Sequence, residues 1–574
     1  PSLGCGKAVV VRSLLNPSEG FMFHEHKANV NVATFSPNGE WIASGDAEGT
    51  VIVWGVISKI VKNTTIACAA VNDIQWSPDG KRIVAAGNGK QSYAKVFMWD
   101  SGSNVGKIDG QAAPILSVAY KPTRPFRIAT AQEDMQCFFY AGPPFKFTHK
   151  FQGEHTRYPN LIRFSPDGEF CITVGADSKI FVLDGKSLEK VNELASPDGH
   201  KGAIYSFAWS PDSKQILTAS ADKTAKIWNV ADGSVETTFT FAAKPQVGDM
   251  QVSAVWQGEH LLTCSLSGSL NFLDPTSPDA PRLTVHGAKS PLKDLAVAPQ
   301  TGHFYTCDTD GFLTQYDHAT GLGSWFAGKG HGGKSIIGCA TNSDASLVAS
   351  IGLDNKLCLN SVKDLEFGPG IPVGGAPKCV AAGRASPDLF AVGTSKEVLV
   401  VVSAGAVVSE TELKFEPFCC AFSPDDSLLA VGGKDKLVHV FSVAGGKLTE
   451  VGAYAKHTSH IMAVEFSPDG KVLTSAGKDR QIYHWDSAGK PLNNGWKYHS
   501  QTINDCSWAP DGSVFSSGSQ DETINVWTDT AGFSKDRETI PLAQKGGVAR
   551  AKFWDPKNLV SCGGDRSIRL WSLP

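Results

Sequence analysis

The sequence predicts an all-β fold in which one small antiparallel sheet is repeated along the chain. Two observations predict it. The first is a recurring thirteen-residue window: IASGDAEGTVIVW ends at Trp54, ILTASADKTAKIW at Trp228, LTSAGKDRQIYHW at Trp485, FSSGSQDETINVW at Trp527 and LVSCGGDRSIRLW at Trp571. Weaker copies end at Leu183, Tyr316, Asn360 and Phe441, and further equivalents end near Trp99, Tyr140, Leu273 and Val402. Neighbouring ends lie about 39 to 45 positions apart, a period typical of sheets repeated around a ring. The second observation is a turn signature ahead of the window. FSPNG, WSPDG, FSPDG, WSPDS, FSPDD, FSPDG and WAPDG begin at Phe35, Trp76, Phe164, Trp209, Phe422, Phe466 and Trp508.

Each unit can be read in order. The proline of the signature fixes φ, and the Asp or Gly after it tolerates turn geometry, so the signature joins two strands. The flanking stretches alternate or run apolar over four to seven residues. No sustained 3.6-residue apolar period occurs, so no substantial helix is expected. A unit is then a four-stranded antiparallel sheet. Such sheets packed radially around a channel shield their edges against their neighbours, which is the β-propeller arrangement. Thirteen to fourteen units exceed the four to eight blades of one ring. Two tandem rings of about seven blades each are expected, spanning 1–287 and 288–574.

The repeated spacing identifies the chain as a WD-repeat β-propeller protein. In that family an Asp in a turn, six positions before the closing Trp, joins a His, a Ser or Thr and the indole in one hydrogen-bonded set. The resemblance assigns this structural role to His200, Asp222 and Trp228, to His457, Asp479 and Trp485, and to His499, Asp521 and Trp527; Asp565 and Trp571 have the same spacing. A buried indole N–H and a buried carboxylate each need a partner, so the set pins blade geometry. A His–Asp pair that recurs in several units reads as structure, since catalysis needs one.

A closer resemblance is carried by TRPFRIATAQEDMQCFFYAGPPFKFTHKFQGEHTRYPNLIRFSPDG, Thr123 to Gly168. Its RPFRI, GPPFKF and GEHT elements, in that order, resemble the actin-interacting protein 1 family, and the likeness extends over essentially the whole chain. The resemblance implies two tandem seven-bladed propellers and a cytoplasmic, monomeric protein of the actin cytoskeleton. It implies binding to actin filaments (F-actin) decorated with cofilin (ADF) and promotion of filament disassembly, with no enzymatic activity, cofactor or metal. It also points to partner-facing residues: Gln91 in GNGKQSY, where the family tends to be acidic, Glu133 in AQEDMQ, and Lys146 and Phe147 in GPPFKF. Asp134, by its spacing from Tyr140, is the structural turn carboxylate, which leaves Glu133 free to face a partner. The alternative is a different WD-repeat interaction scaffold or ligase adaptor, which the fold alone does not exclude. One departure concerns the start. The family has an extra blade's worth of strands before the unit ending at Trp54, whereas KAVVVRSLLNPSEGFMFHEH joins the start and end of a unit with its middle absent. Either the first blade is incomplete, or the sequence lacks a segment of the natural protein.

Bulk properties agree with a globular interaction protein. Of the 574 residues, 41% are hydrophobic and 19% charged, too apolar for a disordered chain. The formal net charge is −4 and no Lys/Arg run stands out, which argues against nucleic acid or an anionic membrane as the main partner. No apolar run reaches the roughly 20 residues of a membrane-spanning helix, and the start shows no convincing signal peptide. The 13 cysteines include no C-x-x-C, so neither a disulfide framework nor a zinc site is expected, and buried thiols fit a reducing compartment.

One stretch suggests an enzyme. GKGHGGKS, Gly328 to Ser335, fits the phosphate-binding pattern G-x-x-x-x-G-K-[ST]. That chemistry needs a helix after the loop, whose N-terminus receives phosphate. SIIGCATNSDASLVASIGLDNKL follows instead, which reads as strand, turn, strand, turn. His331 precedes Asp354 by 23 positions, close to the 22 between His200 and Asp222, so the loop is expected to be a connector between units.

Overall fold

The computed structural model describes the chain except residues 1, 6, 15–19, 90–91, 109, 243, 288–289, 328–329, 528–536 and 574. The chain divides into two compact units, Pro1–His286 and Gly287–Pro574. Among the described residues there are fourteen antiparallel sheets, seven in each unit; eleven have four strands and three have three. The fold is an all-β pair of propellers. Among the described residues the helical segments are two single 3-10 turns, Val247–Asp249 and Pro299–Thr301, and no helix is long and apolar enough to cross a membrane.

The sixth blade of the first ring shows how a unit is built. Ile204–Trp209 is the inner strand, followed outward by Gln215–Ser220, Ala225–Asn229 and Val235–Phe239, each paired with the one before. The PDS turn between the first two strands closes on itself: Ser210 Oγ donates to Asp212 Oδ1 at 2.7 Å, and the Gln215 N–H donates to Ser210 Oγ at 2.9 Å. The middle strands are buried on both faces, so they read as apolar runs, while the outer strand alternates. Trp228, 2% exposed, packs with Ile216 of its own blade and with Ile172, Val174 and Val182 of the fifth blade. The core is therefore a series of layers between blades.

A bulge recurs that no sequence signal marks. In every blade but the first of the first ring, the inner strand carries it near its start, as between Ile204 and Ser206 or between Leu292 and Asp294. The extra residue re-aims the side chains that follow it. The first sheet differs. Its described strands are Ser2–Cys5, Ala8–Arg12 and Gly20–Phe23, paired in regular register. The unit containing Trp54 is complete, with Val30–Phe35, Trp41–Asp46, Thr50–Gly55 and Val61–Ile66. The shortening expected near the start thus falls on the preceding blade, which has three described strands.

Inner strands hold buried charge. In the first ring Arg163 makes a two-pronged contact with Asp73, at 2.8 and 3.1 Å, and Ser117 Oγ donates to the same carboxylate at 2.8 Å. In the second ring Leu292–Ala298 of its first blade packs against Val548–Asp555 of its last, closing the circle. Arg550 Nε donates to Asp294 Oδ1 across that closure at 2.6 Å. Lys552 reaches Asp505 at 3.1 Å and Glu465 at 3.2 Å, and Arg384 reaches Glu465 at 3.3 Å. These groups line a cavity of about 420 Å³ inside the second ring. Burial pushes the Asp505 carboxyl up, and the Lys552 and Arg550 charges pull it back only in part.

Removing one partner of such a network leaves an uncompensated charge, which costs roughly 3–5 kcal/mol. Arg550→Met is expected to lower stability by that amount, and Arg550→Met with Asp294→Asn by less. Urea unfolding followed by tryptophan fluorescence checks the order.

Candidate interaction surface

The loops that could meet a partner are positioned by the hydrogen-bonded set inside each blade. His200 Nδ1 contacts Asp222 Oδ2 at 2.7 Å, its Nε2 contacts Thr218 Oγ1 at 2.7 Å, and the Trp228 indole donates to the same hydroxyl at 3.0 Å. The His457 set repeats this with Asp479 at 2.8 Å, Ser475 at 2.8 Å and Trp485 at 2.8 Å. His499 contacts Asp521 at 3.1 Å and Ser517 at 2.7 Å. The Trp527 indole, expected to complete that set, has no hydrogen-bond acceptor among the described residues. The Asn525 amide, 3.1 Å from His499 Nε2, stands near the imidazole instead.

Further sets escaped the sequence reading. His26 links Asp46 at 2.9 Å and Ser44 at 2.7 Å, with Trp54 donating to Ser44 at 3.1 Å. Asp46 lies eight rather than six positions before its Trp, which hid it. His155 links Asp177 at 3.1 Å and Thr173 at 3.3 Å, although Leu183 ends that unit. In the last blade Gln544 takes the histidine place, its amide donating to Ser561 Oγ at 2.9 Å beside Trp571, also at 2.9 Å.

The carboxylates have a second duty. The backbone N–H after the histidine donates to the Asp in several blades: Thr156 to Asp177, Lys201 to Asp222, Thr458 to Asp479 and Ser500 to Asp521, between 2.8 and 3.1 Å. The loop entering a blade is thereby staked to the turn between its second and third strands. Both lie on one edge of the blade. Burial opposes ionisation of Asp177, but the His155 contact and the amide donors outweigh it and hold the carboxyl at about 2. The same balance lowers Asp222, Asp479 and Asp521.

Glu133 is exposed in the turn between Arg127–Gln132 and Cys137–Ala141, on the edge that carries these stakes in other blades. Its backbone N–H donates to Pro114 O at 3.0 Å. Lys146 and Phe147 open the outer strand Lys146–Phe151 and pair with Ala141 and Tyr140. They lie at the other end of the five-residue strand Cys137–Ala141, about 17 Å away at 3.3 Å per residue. The structure therefore does not bring Glu133 together with Lys146 and Phe147. Lys146 is exposed; Phe147 is 49% exposed and sets one edge against Phe138 and Tyr140, at ring separations of 5.2 and 6.1 Å. Its neighbour Phe145 is buried against Tyr120 at 5.8 Å, which anchors the hairpin. Gln91 lies outside the described residues.

Asp134 keeps the turn contact expected of it but not the contacts to a histidine and a loop amide that its counterparts make. Its Oδ1 accepts the Gln136 N–H at 3.3 Å, but among the described residues no histidine, loop amide or cation reaches it. Gln111 stands at the histidine place, four residues before the inner strand Ile115–Tyr120, and its amide donates to Tyr140 Oη.

In the glycine-rich stretch, the strand Ile336–Thr341 follows the loop, so no helix N-terminus faces it. His331 contacts Asp354 at 2.7 Å and Ser350 at 2.9 Å, and Asn360 replaces the indole, its amide donating to Ser350 at 2.9 Å. Gly332 and Gly333 take φ of 60° and 77°, a left-handed turn that favours glycine. Gly328 and Lys329 lie outside the described residues. Its described part, residues 330–335, is a blade connector in which Gly332 and Gly333 serve the turn.

Two outcomes follow for these sets. Lowered carboxyl pKa values stabilise the fold above the ordinary aspartate range, and that contribution is lost as pH falls through the folded values. Burial also lowers the pKa of His200, which acts in the same direction below about 6.5. Thermal stability is expected to fall on acidification, with the Asp177 part lost between about pH 4 and about pH 2; Asp177→Asn should flatten that part of a Tm-against-pH curve. Thr218→Ala, which strips a buried partner from His200 and Trp228, should cost about 1–3 kcal/mol in chemical unfolding.

A family model described as WD domain, G-beta repeat matches residues 18–55, 61–100, 191–229, 415–442, 448–486 and 489–528. Actin-interacting protein 1 of Drosophila melanogaster is 35% identical over 99% of this chain and 93% of its own length. Actin-interacting protein 1-2 of Arabidopsis thaliana is 39% identical over 99% and 94%. WD repeat-containing protein 1 of Rattus norvegicus is 34% identical over 99% and 94%. With likeness sustained across both rings, the chain belongs to the actin-interacting protein 1 family of WD-repeat proteins.

Proposed function

We propose that the chain binds actin filaments and, together with cofilin, promotes their disassembly. The observation that carries this reading is the match to relatives named actin-interacting protein 1 over 99% of the chain, both rings included. The architecture supports binding over catalysis. Its His–Asp pairs are spent on holding turns, and the one nucleotide-binding motif in the sequence is followed by a strand.

A binding protein changes a filament by preferring one of its states. A ligand shifts an equilibrium only by its differential affinity, so the chain must bind the cofilin-altered filament, or its fragments, more tightly than bare filament. Two rings on one chain also give two contact surfaces, and the second contact profits from the effective concentration set by the first. The partner-facing candidates are Gln91, Glu133, Lys146 and Phe147. Glu133 offers an exposed carboxylate. Phe147 offers a half-exposed ring beside the Lys146 charge, a composition suited to an interaction hot spot. Since Glu133 and Phe147 lie at opposite ends of one blade, they would serve two contacts or one broad footprint.

Co-sedimentation with filaments tests the mechanism: pelleting should rise when cofilin is added, and binding that ignores cofilin would sink it. In a cofilin-dependent disassembly assay, Glu133→Ala and Phe147→Ala are each expected to lower the rate by roughly tenfold or less, as single hot-spot truncations do, with Tm unchanged. Full activity in folded variants would reject the site residues and leave the family reading intact.

A further inference from the structure

One turn of the first ring reverses the charge of its copies. Between the first two strands of a blade the chain reads SPDG from Ser165 and SPDS from Ser210, a turn with one carboxylate and no cation. In the fourth blade the same turn reads KPTR, Lys121 to Arg124. Thr123 stands in the place of the aspartate, and two cations have entered. Lys121 is 2% exposed and Arg124 is exposed, and neither pairs with a carboxylate among the described residues. The same holds for Arg127, which opens the second strand, and for Lys146, which opens the outer one. All four lie at the edge of the blade opposite Glu133.

Aromatic rings gather these charges into one surface. Phe126 carries two guanidinium groups, that of Arg124 at 5.4 Å from the ring centre and that of Arg82, from the third blade, at 5.6 Å. The two groups are therefore within about 11 Å of each other. Tyr120 meets Phe126 edge-on at 5.8 Å and Phe145 at 5.8 Å. Through that ring the RPFRI and GPPFKF elements adjoin, and Lys146 and Phe147 follow directly on Phe145. Asp79, 2.9 Å from Arg82, is the one carboxylate paired with any of these cations among the described residues. In a chain of net charge −4, four unpaired cations at one edge are a local excess that repels itself.

We infer that this edge of the third and fourth blades receives an acidic segment of the filament partner. The inference rests on the proposed filament binding and gives the Lys146 and Phe147 contact its chemistry. Carboxylates of the segment meet the guanidinium groups of Arg82 and Arg124, whose forked donors suit them. Phe126 holds both groups by cation–π attraction, so less side-chain freedom is lost on binding. Phe147, 49% exposed, supplies an apolar contact beside Lys146. The opposite edge presents Glu133 and repels such a segment, so charge also selects which edge faces it.

The first test uses the full chain and a fluorescein-labelled hexaglutamate peptide, read by anisotropy at low and moderate salt. Arg124→Glu is expected to weaken the peptide at least about fivefold. Lys244→Glu, which reverses an exposed cation in the loop before the seventh blade, should weaken it less than about twofold. Equal losses would mean that the peptide senses net charge alone, and overturn the inference. Arg124→Gln thins a self-repelling cluster, so its Tm should equal or exceed wild type; a clear fall would assign the guanidinium to the fold and overturn the inference as well. The second test is co-sedimentation with cofilin-decorated filaments. Arg124→Glu and Lys146→Glu should each weaken pelleting roughly tenfold, by less as salt rises. Filament binding that is equal in wild type and Arg124→Glu overturns the inference and leaves the filament reading standing. Peptide binding that responds to the variants, with no filament binding by wild type, keeps the acidic-segment surface and rejects the filament reading.

Discussion

The buried imidazole that joins an aspartate to a hydroxyl is the interaction on which the propellers depend. Hydrogen bonds between strands hold each blade together, and one backbone bond, such as Ala221 N–H to Ala203 O at 2.9 Å, joins the turn to the residue entering the inner strand. The histidine extends that link further back into the loop. Through one ring, the His200 loop is tied to the Asp222 turn and to Thr218 in the middle of the sheet, and the Trp228 indole closes the same hydroxyl from the outer side. The loop amide then adds its own bond to the carboxylate. Every element of the set is a polar group that burial would otherwise penalise, so the set is either complete or costly. Two of the substitutes keep a donor: Asn360 supplies an N–H where an indole would, and Gln544 supplies an amide where an imidazole would.

The charged inner strands follow a different logic. They face a channel that backbone pairing does not fill, and their carboxylates and cations come from blades distant in sequence. Arg163 reaches Asp73, two blades away in the first ring. In the second, Arg550 links the last blade to the first through Asp294. Such pairs add little net stability compared with apolar packing, because desolvation offsets their attraction. Their gain is positional. Only one arrangement of seven blades lets the Arg550 guanidinium meet Asp294 while the Lys552 ammonium meets Asp505 and Glu465.

Much of this was legible in the sequence, because a repeat reveals itself by comparison with its own copies. The period exposed the blades, the SPDG signature exposed the turns, and the six-residue interval from Asp to Trp exposed three of the hydrogen-bonded sets. The misses have definite causes. Asp46 broke the interval by two residues, and Leu183 broke the aromatic end of the His155 set, though the histidine and carboxylate still meet. Trp527 obeyed the pattern, yet its indole finds no acceptor among the described residues. The inner-strand bulges and the Asp73–Arg163 pair left no local signal, since they depend on how blades are aimed at one another within a ring. Positions proposed to face a partner are the least legible kind, because an exposed Glu133 obeys no packing rule that would set it apart from a solvated turn residue.

A ring of repeated blades has a consequence for how binding sites arise in it. Each blade is stabilised mainly by its own ladder and by its two neighbours, so one blade can lose part of its set without loss of the ring. Two blades show how far the set can drift. Gln544 reaches the Ser561 hydroxyl from the histidine place of the last blade, whereas Gln111, at the same place in the fourth blade of the first ring, reaches Tyr140 instead. Asp134 is then held by its own turn, while Asp177 and Asp222 in the next two blades also hold a histidine and a loop amide. The fourth, fifth and sixth blades of that ring keep the same four-stranded ladder, so drift in the polar set alters how firmly a loop is held before it alters the blade.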